Sequence, residues 1–125
     1  MQQSMKSPHK SSLTCGSWPH QMTADLILFE ESLHLQLYGG VKPHIGAQCI
    51  GKETPTVEER ETHKEGAISL EIWKRLQETF EGYYLSVQVG MHVPNATKED
   101  IELLLKNARE VVTLLLKNHS STDSI

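Results

Sequence analysis

Hydrophobic positions along the chain follow a two-residue period in some stretches and a four-residue period in others. From Met22 to Phe29, Ala24, Leu26 and Leu28 alternate with Asp25, Ile27 and Phe29, which predicts a strand with at least one buried face. After Glu30-Glu31-Ser32, Leu33, Leu35 and Leu37 point one way while His34, Gln36 and Tyr38 point the other, the period of a half-buried strand. The two runs predict a hairpin. Ile45 to Ile50 predicts a short third strand closed by Gly51. Tyr83 to Val93 predicts a central strand, with Leu85, Val87, Val89 and Met91 on one face and Tyr84, Ser86, Gln88 and Gly90 on the other.

The longer period marks two helices. Ile68, Ile72, Leu76 and Phe80 recur every four residues, and Gly82 stands where a left-handed residue ends a helix. Thr97 with Asp100 three residues on is a capping-box start. Ile101, Leu104, Leu105, Ala108, Val111, Val112, Leu115 and Leu116 then form one long stripe. The predicted order is βββαβα, and each stripe needs a sheet face to cover it. The expected architecture is therefore α+β, a two-layer sandwich with a mostly antiparallel sheet of about four strands and both helices on one face.

The remaining segments are polar. Residues 1–21 are rich in Ser, Lys, Pro and Gln without a period and predict a disordered leader; 22–118 form the single domain and 119–125 a flexible tail. The charged stretch 52–64, with Pro55, is too hydrophilic to pack and suggests a lid-like loop.

With 125 residues the chain makes one modest core, and its net charge of −4 carries no basic cluster of the kind that binds nucleic acid. Two cysteines provide neither a disulfide framework nor a four-thiolate zinc site, which fits a reducing, cytoplasmic setting. Residues 1–12 lack the apolar core of a signal peptide, and no stretch approaches the roughly 20 apolar residues that span a bilayer.

Candidate chemistry concentrates in Tyr38–Gly51, where Gly39, Gly40, Gly46 and Gly51 surround Lys42, Pro43 and His44. Such a loop can turn sharply and bring bare main chain against an anion, with Lys42 and His44 as cationic donors. Equally, it can be a hairpin whose glycines serve only turn geometry. His44, His63 and His92 all fall at element boundaries, where scaffolds present functional side chains. Three imidazoles can hold zinc, but these are widely spaced and lack an accompanying ligand pattern, so no metal is assigned. Cys49, among apolar neighbours, has the setting of a packed small hydrophobe rather than a nucleophile. Anion binding remains, with Lys42, Lys64 and the histidines around a phosphate and Tyr38, Tyr83 or Tyr84 offering a stacking surface. The polar sheet face carrying His34, Gln36, Tyr38, Ser86 and Gln88 suits water, a subunit contact or a flat ligand.

The block Gly39-Gly40-Val41-Lys42-Pro43-His44-Ile45-Gly46, followed by His63-Lys64 and by Val89-Gly90-Met91-His92-Val93 with Thr97 and Ile101, resembles the LpdD-like prenylated flavin chaperones, the family of the D subunit of gallate decarboxylase. The likeness spans roughly 24–116. It implies a non-catalytic accessory protein that holds prenylated FMN and assists its passage from a flavin prenyltransferase to a UbiD-like decarboxylase. On matching positions it assigns Gly39, Gly40, Pro43, His44 and Gly46 to the cofactor, with His63, Lys64 and His92 nearby; Lys42 joins them as a cation. A shallow site, completed in a homo-oligomer, would suit a carrier that must release its cargo. A small histidine- or metal-dependent enzyme and a purely structural decarboxylase subunit are the alternatives.

Overall fold

A computed structural model describes residues 8–123, with side chains described through Asn118. Six strands and two helices follow in the order β1 (His9–Cys15), β2 (Met22–Leu28), β3 (Ser32–Gly40), β4 (Ala47–Gly51), β5 (Thr56–Glu59), α1 (Gly66–Thr79), β6 (Tyr84–His92) and α2 (Lys98–Asp123). All strands join one sheet in the order β1-β2-β3-β6-β4-β5. The α+β class stands; the expected four strands are corrected to six, and the sheet is antiparallel at four of its five pairings, with one parallel pair that makes it mixed.

The mixed direction arises at the centre. β3 and β6 run parallel, with Leu33, Leu35 and Leu37 opposite Leu85, Val87 and Val89. Parallel neighbours need a long crossover, and here it holds β4, β5 and α1. β6 is thus flanked on both edges, since it also pairs antiparallel with β4 on its other side.

The inward rows of β2, β3 and β6 are completely or almost completely buried, and they share one core with Ile68, Ile72, Trp73 and Leu76 of α1 and Ala108, Val111, Val112 and Leu115 of α2. Each such aliphatic side chain contributes on the order of 1.5–3 kcal/mol on burial. Both helices therefore lie on the same face of the sheet. The opposite face is a polar lattice: the Tyr38 hydroxyl donates to Asp25 Oδ2 at 2.8 Å, His34 meets Ser86 and Gln36, and Gln88 donates to Gln48 at 3.1 Å.

Two strands lie where none was expected. Within the supposed leader, β1 pairs residue by residue with β2 and packs the half-buried Leu13 and Cys15 against the core. Within the charged stretch, β5 pairs with β4, although all four of its side chains are exposed. Edge strands of this kind are pinned by main-chain bonds and kept polar against further pairing. At the other end, α2 continues through Asp123, into the 119–125 stretch expected as a flexible tail. Residues 1–7 and 124–125 of the expected leader and tail lie outside the described residues.

Candidate functional site

The connection between β3 and β4 is fastened to the end of β6. The Val41 and Lys42 amides donate to the His92 carbonyl at 2.8 and 3.2 Å, the Gly46 amide to Val89 at 2.8 Å, and the Gly40 amide to Gln21 at 3.1 Å. These main-chain donors are already used. Those four amides of the loop therefore have no free hydrogen to offer an anion. The glycines serve close packing: a β-carbon on Gly39 would strike the Gln21 carbonyl, and Gly40, at φ 85°, lies against the His92 carbonyl.

What this fastening does is deliver His44 to two other histidines. The His44 ring lies 4.8 Å from that of His63, edge-on, and 5.8 Å from that of His92. His63 arrives from the turn after β5, where its amide donates to the Arg60 carbonyl at 3.0 Å. His92 ends β6. Nδ1 of His44 is 2.9 Å from the Lys42 carbonyl and Nδ1 of His63 is 2.8 Å from the Glu61 carbonyl. A carbonyl only accepts, so each Nδ1 carries the hydrogen and each Nε2 remains for other partners.

Beneath the histidines is Glu65, a carboxylate left only 8% exposed. The Lys64 amide donates to its Oε1 at 3.1 Å and the Met91 amide to its Oε2 at 3.3 Å. That same Oε2 is 3.5 Å from Nε2 of His44, an atom that is buried and has no hydrogen-bond partner among the described residues. The distance marks an ion-pair approach rather than a bond. Glu59 is the neighbouring acid, and its Oε2 accepts from the Gly66 amide at 2.7 Å, satisfying the start of α1.

The three histidines and Glu65, but not Glu59, line one end of a cavity of about 540 Å³ between α1, α2 and the end of β6. Clefts of about 300–1,000 Å³ are the usual size for small-molecule sites. His44, His63, Lys64 and His92 are in its wall; Gly39, Gly40, Lys42, Pro43 and Gly46 are not. Toward the helices the wall turns aliphatic, with Ile68, Met91, Ile101, Leu104 and Leu105. Ile101 belongs to the stripe expected to be buried, yet it is 49% exposed. Tyr38 lies on the polar sheet face, and neither Tyr83 nor Tyr84 lines the cavity. Among the described residues, no group of three or more His, Cys, Asp or Glu side chains is arranged to hold a metal ion.

Across the helices, Arg109 of α2 grips Glu71 of α1 through Nε at 2.8 Å and a second nitrogen at 3.0 Å. Those hydrogen bonds, ahead of the opposing effect of burial, hold the Glu71 carboxyl below the usual range, and they raise Arg109. Both acids on the cavity wall are thereby engaged, Glu71 by a guanidinium and Glu65 by amides.

The family model described as the prenylated flavin chaperone LpdD-like domain matches residues 16–120. The chain belongs to that family. No curated protein matches the sequence. One similar solved chain comes from a chaperone complex for yeast 20S proteasome assembly, with a TM-score of 0.54, 12% identity, and coverage of 91% of this chain and 96% of that one. At that identity the likeness shows the fold alone. For this LpdD-like domain, sequence reasoning missed Glu65, Glu71 and Arg109. Glu65 is hidden in a charge run, and the Glu71–Arg109 pair joins helices far apart in sequence.

Proposed function

We propose that this protein binds prenylated FMN in the cavity between α1 and α2 and assists its passage from a flavin prenyltransferase to a UbiD-like decarboxylase, without turnover of its own. The observation that carries this reading is the cavity's polarity: three imidazoles and Lys64 at one end, an aliphatic wall at the other. A flavin nucleotide has the matching asymmetry, an anionic phosphate and a flat ring system. The buried, unpartnered Nε2 of His44 fits the group, because such an atom is costly until a ligand oxygen engages it.

The chemistry of decarboxylation would belong to the cofactor once it is in the partner enzyme. This chain's part is to hold and release. Ile68, Ile101 and Leu104 exclude water from the ring, while Lys64 and the histidines supply charge-assisted hydrogen bonds. Completion of the site in a homo-oligomer is part of the same proposal, and light scattering of the pure protein with and without cofactor tests it.

Titration of the purified protein with prenylated FMN, followed by visible absorbance, is the central experiment. Saturable binding is expected, as is faster activation of an apo-decarboxylase by the loaded protein than by free cofactor. Absence of saturable binding by the wild type overturns the reading. Co-purification with a decarboxylase without cofactor affinity would then favour a structural subunit, and turnover lost with one histidine would favour an enzyme.

A further inference from the structure

We propose that Glu71 and Arg109 form a second anchor of the cavity, which takes the pyrimidine edge of a flavin whose phosphate lies at the histidine end. The proposal rests on the cofactor-binding reading above and adds to it the groups that select the ring.

Both side chains are in the cavity wall, far from the histidines. Glu71 lies six residues beyond Glu65 along α1, about 9 Å of helical rise from the histidine end. Ile68 of α1, with Leu104 and Leu105 of α2, comes between them in the wall. The cavity is thus polar at both ends and aliphatic in the middle. A flavin nucleotide also carries polar groups at both ends, a phosphate at one and a pyrimidine edge of carbonyl, N–H and carbonyl at the other.

The pair supplies what that edge requires. Arg109 spends its Nε and a second nitrogen on the two oxygens of Glu71, at 2.8 and 3.0 Å. A guanidinium has five N–H groups and a carboxylate about four acceptor sites, so donors and acceptors remain side by side. Arg109 donates to a ring carbonyl and Glu71 accepts from the ring N–H, and both bonds are charge-assisted. With the Arg109 and Glu71 side chains 50% and 40% exposed, a ligand has access to each.

A separate strap holds the two helices at this level. Arg75, one turn beyond Glu71 on α1, donates through Nη1 to the Arg109 carbonyl at 3.2 Å and through Nη2 to the Thr113 hydroxyl at 2.7 Å. That hydroxyl donates to the same carbonyl at 2.9 Å. The strap uses Arg109 through its main chain alone, and neither Arg75 nor Thr113 lines the cavity. Fastening and recognition are therefore separable by mutation.

The test titrates the purified protein with prenylated FMN, its N3-methyl derivative and its dephosphorylated form. The wild type should bind the N3-methyl compound about tenfold more weakly than the parent, the scale of one charge-assisted hydrogen bond. Glu71→Ala should shrink that ratio to within about twofold, since the N–H has lost its acceptor. Arg109→Met should weaken the parent and the dephosphorylated compound alike, about tenfold. Arg75→Met, which cuts the strap alone, should leave parent affinity within about twofold. Circular dichroism and melting establish that each variant is folded, and the N3-methyl comparison in the wild type needs no variant.

Equal affinity of the wild type for the parent and the N3-methyl compound, or a ratio unchanged in Glu71→Ala, overturns the role of the pair while cofactor binding by the wild type stands. So does a loss in Arg75→Met matching that in Arg109→Met, which would make the pair a strap only. A loss in Arg109→Met confined to the phosphorylated compounds would put the phosphate at this end and equally overturns it. Failure of the wild type to bind any of the three compounds overturns the functional reading and this inference together.

Discussion

Gly90 presses against the carbonyl oxygen of His44 so closely that a β-carbon at position 90 would overlap it. The sheet's central strand thereby sets the height of the candidate site above the core. Gly90→Ala cannot be absorbed by a flexible side chain, because the obstacle is main chain tied at both ends of the loop. The expected loss is about 3 kcal/mol, the upper end of overpacking costs. Gly82→Ala is the control: φ is 86° there, but nothing lies within 4 Å, so only about 1–2 kcal/mol of left-handed strain is expected. Urea unfolding of the two variants checks the ranking, which comparable midpoints would contradict.

Lys42 and Lys64 were equivalent candidates by composition and are not equivalent in the fold. The Lys42 side chain is exposed outside the cavity, whereas Lys64 is part of its wall. Lys42→Ala should therefore leave prenylated FMN affinity within about twofold, while Lys64→Ala and His92→Ala should each weaken it about tenfold. A loss at Lys42 matching that at Lys64 would place the phosphate outside the cavity described above.

How much of this was legible depends on what kind of contact fixes each part. The in-and-out alternation of β2, β3 and β6 is written in side chains, because their inner rows meet the helices. β5 is held chiefly by main-chain pairing, which leaves little trace, since Thr56, Val57, Glu58 and Glu59 are all exposed, while β1 packs only Leu13 and Cys15 against the core. The pattern also states which face is buried but not which strand is adjacent, so the parallel β3–β6 pair was invisible. In the site, turn positions marked His44, His63 and His92, which the fold brings together. The glycines were recognisable as special but for another reason, since their absent side chains make room for backbone and for Glu65. Glu65 itself is indistinguishable, in sequence, from the solvated acids before it.

Acid sensitivity follows from two carboxyls. Arg109 holds Glu71 below its usual range, and the Thr97 amide, with His20 second, does so for Asp100 in the capping box. A carboxyl depressed in the folded chain takes up its proton first in the unfolded chain, so its stabilisation is present above the unfolded value, about 4, and is lost as pH falls through the lower folded one. Glu71→Gln and Asp100→Asn should each flatten the decline in urea midpoint between about pH 5 and 2.5, while lowering stability modestly at pH 7. Solvent exposure of the Glu71–Arg109 pair keeps its share below about 1 kcal/mol. An acid limb as steep in both variants as in the wild type would count against these pairs.

The two thiols should part company in their chemistry. Burial raises both above the ordinary thiol range, with Glu110 adding to the effect at Cys15 and Lys74 opposing it at Cys49. Exposure separates them further: Cys49 is wholly enclosed between β4 and the helices, whereas Cys15 is half-buried at the end of an edge strand. A thiol reagent at pH 8 should modify one site slowly in the native protein, and Cys15→Ala should abolish that reaction. Cys49 should react only on unfolding, since thiolate and reagent access both require the layer between sheet and helices to open. Native-state labelling of Cys49 at the rate of Cys15 would mean that β4 separates from α1 readily. His44, fixed to the same loop that enters β4, would then be equally mobile, and the cavity would lose the rigidity on which its proposed grip depends.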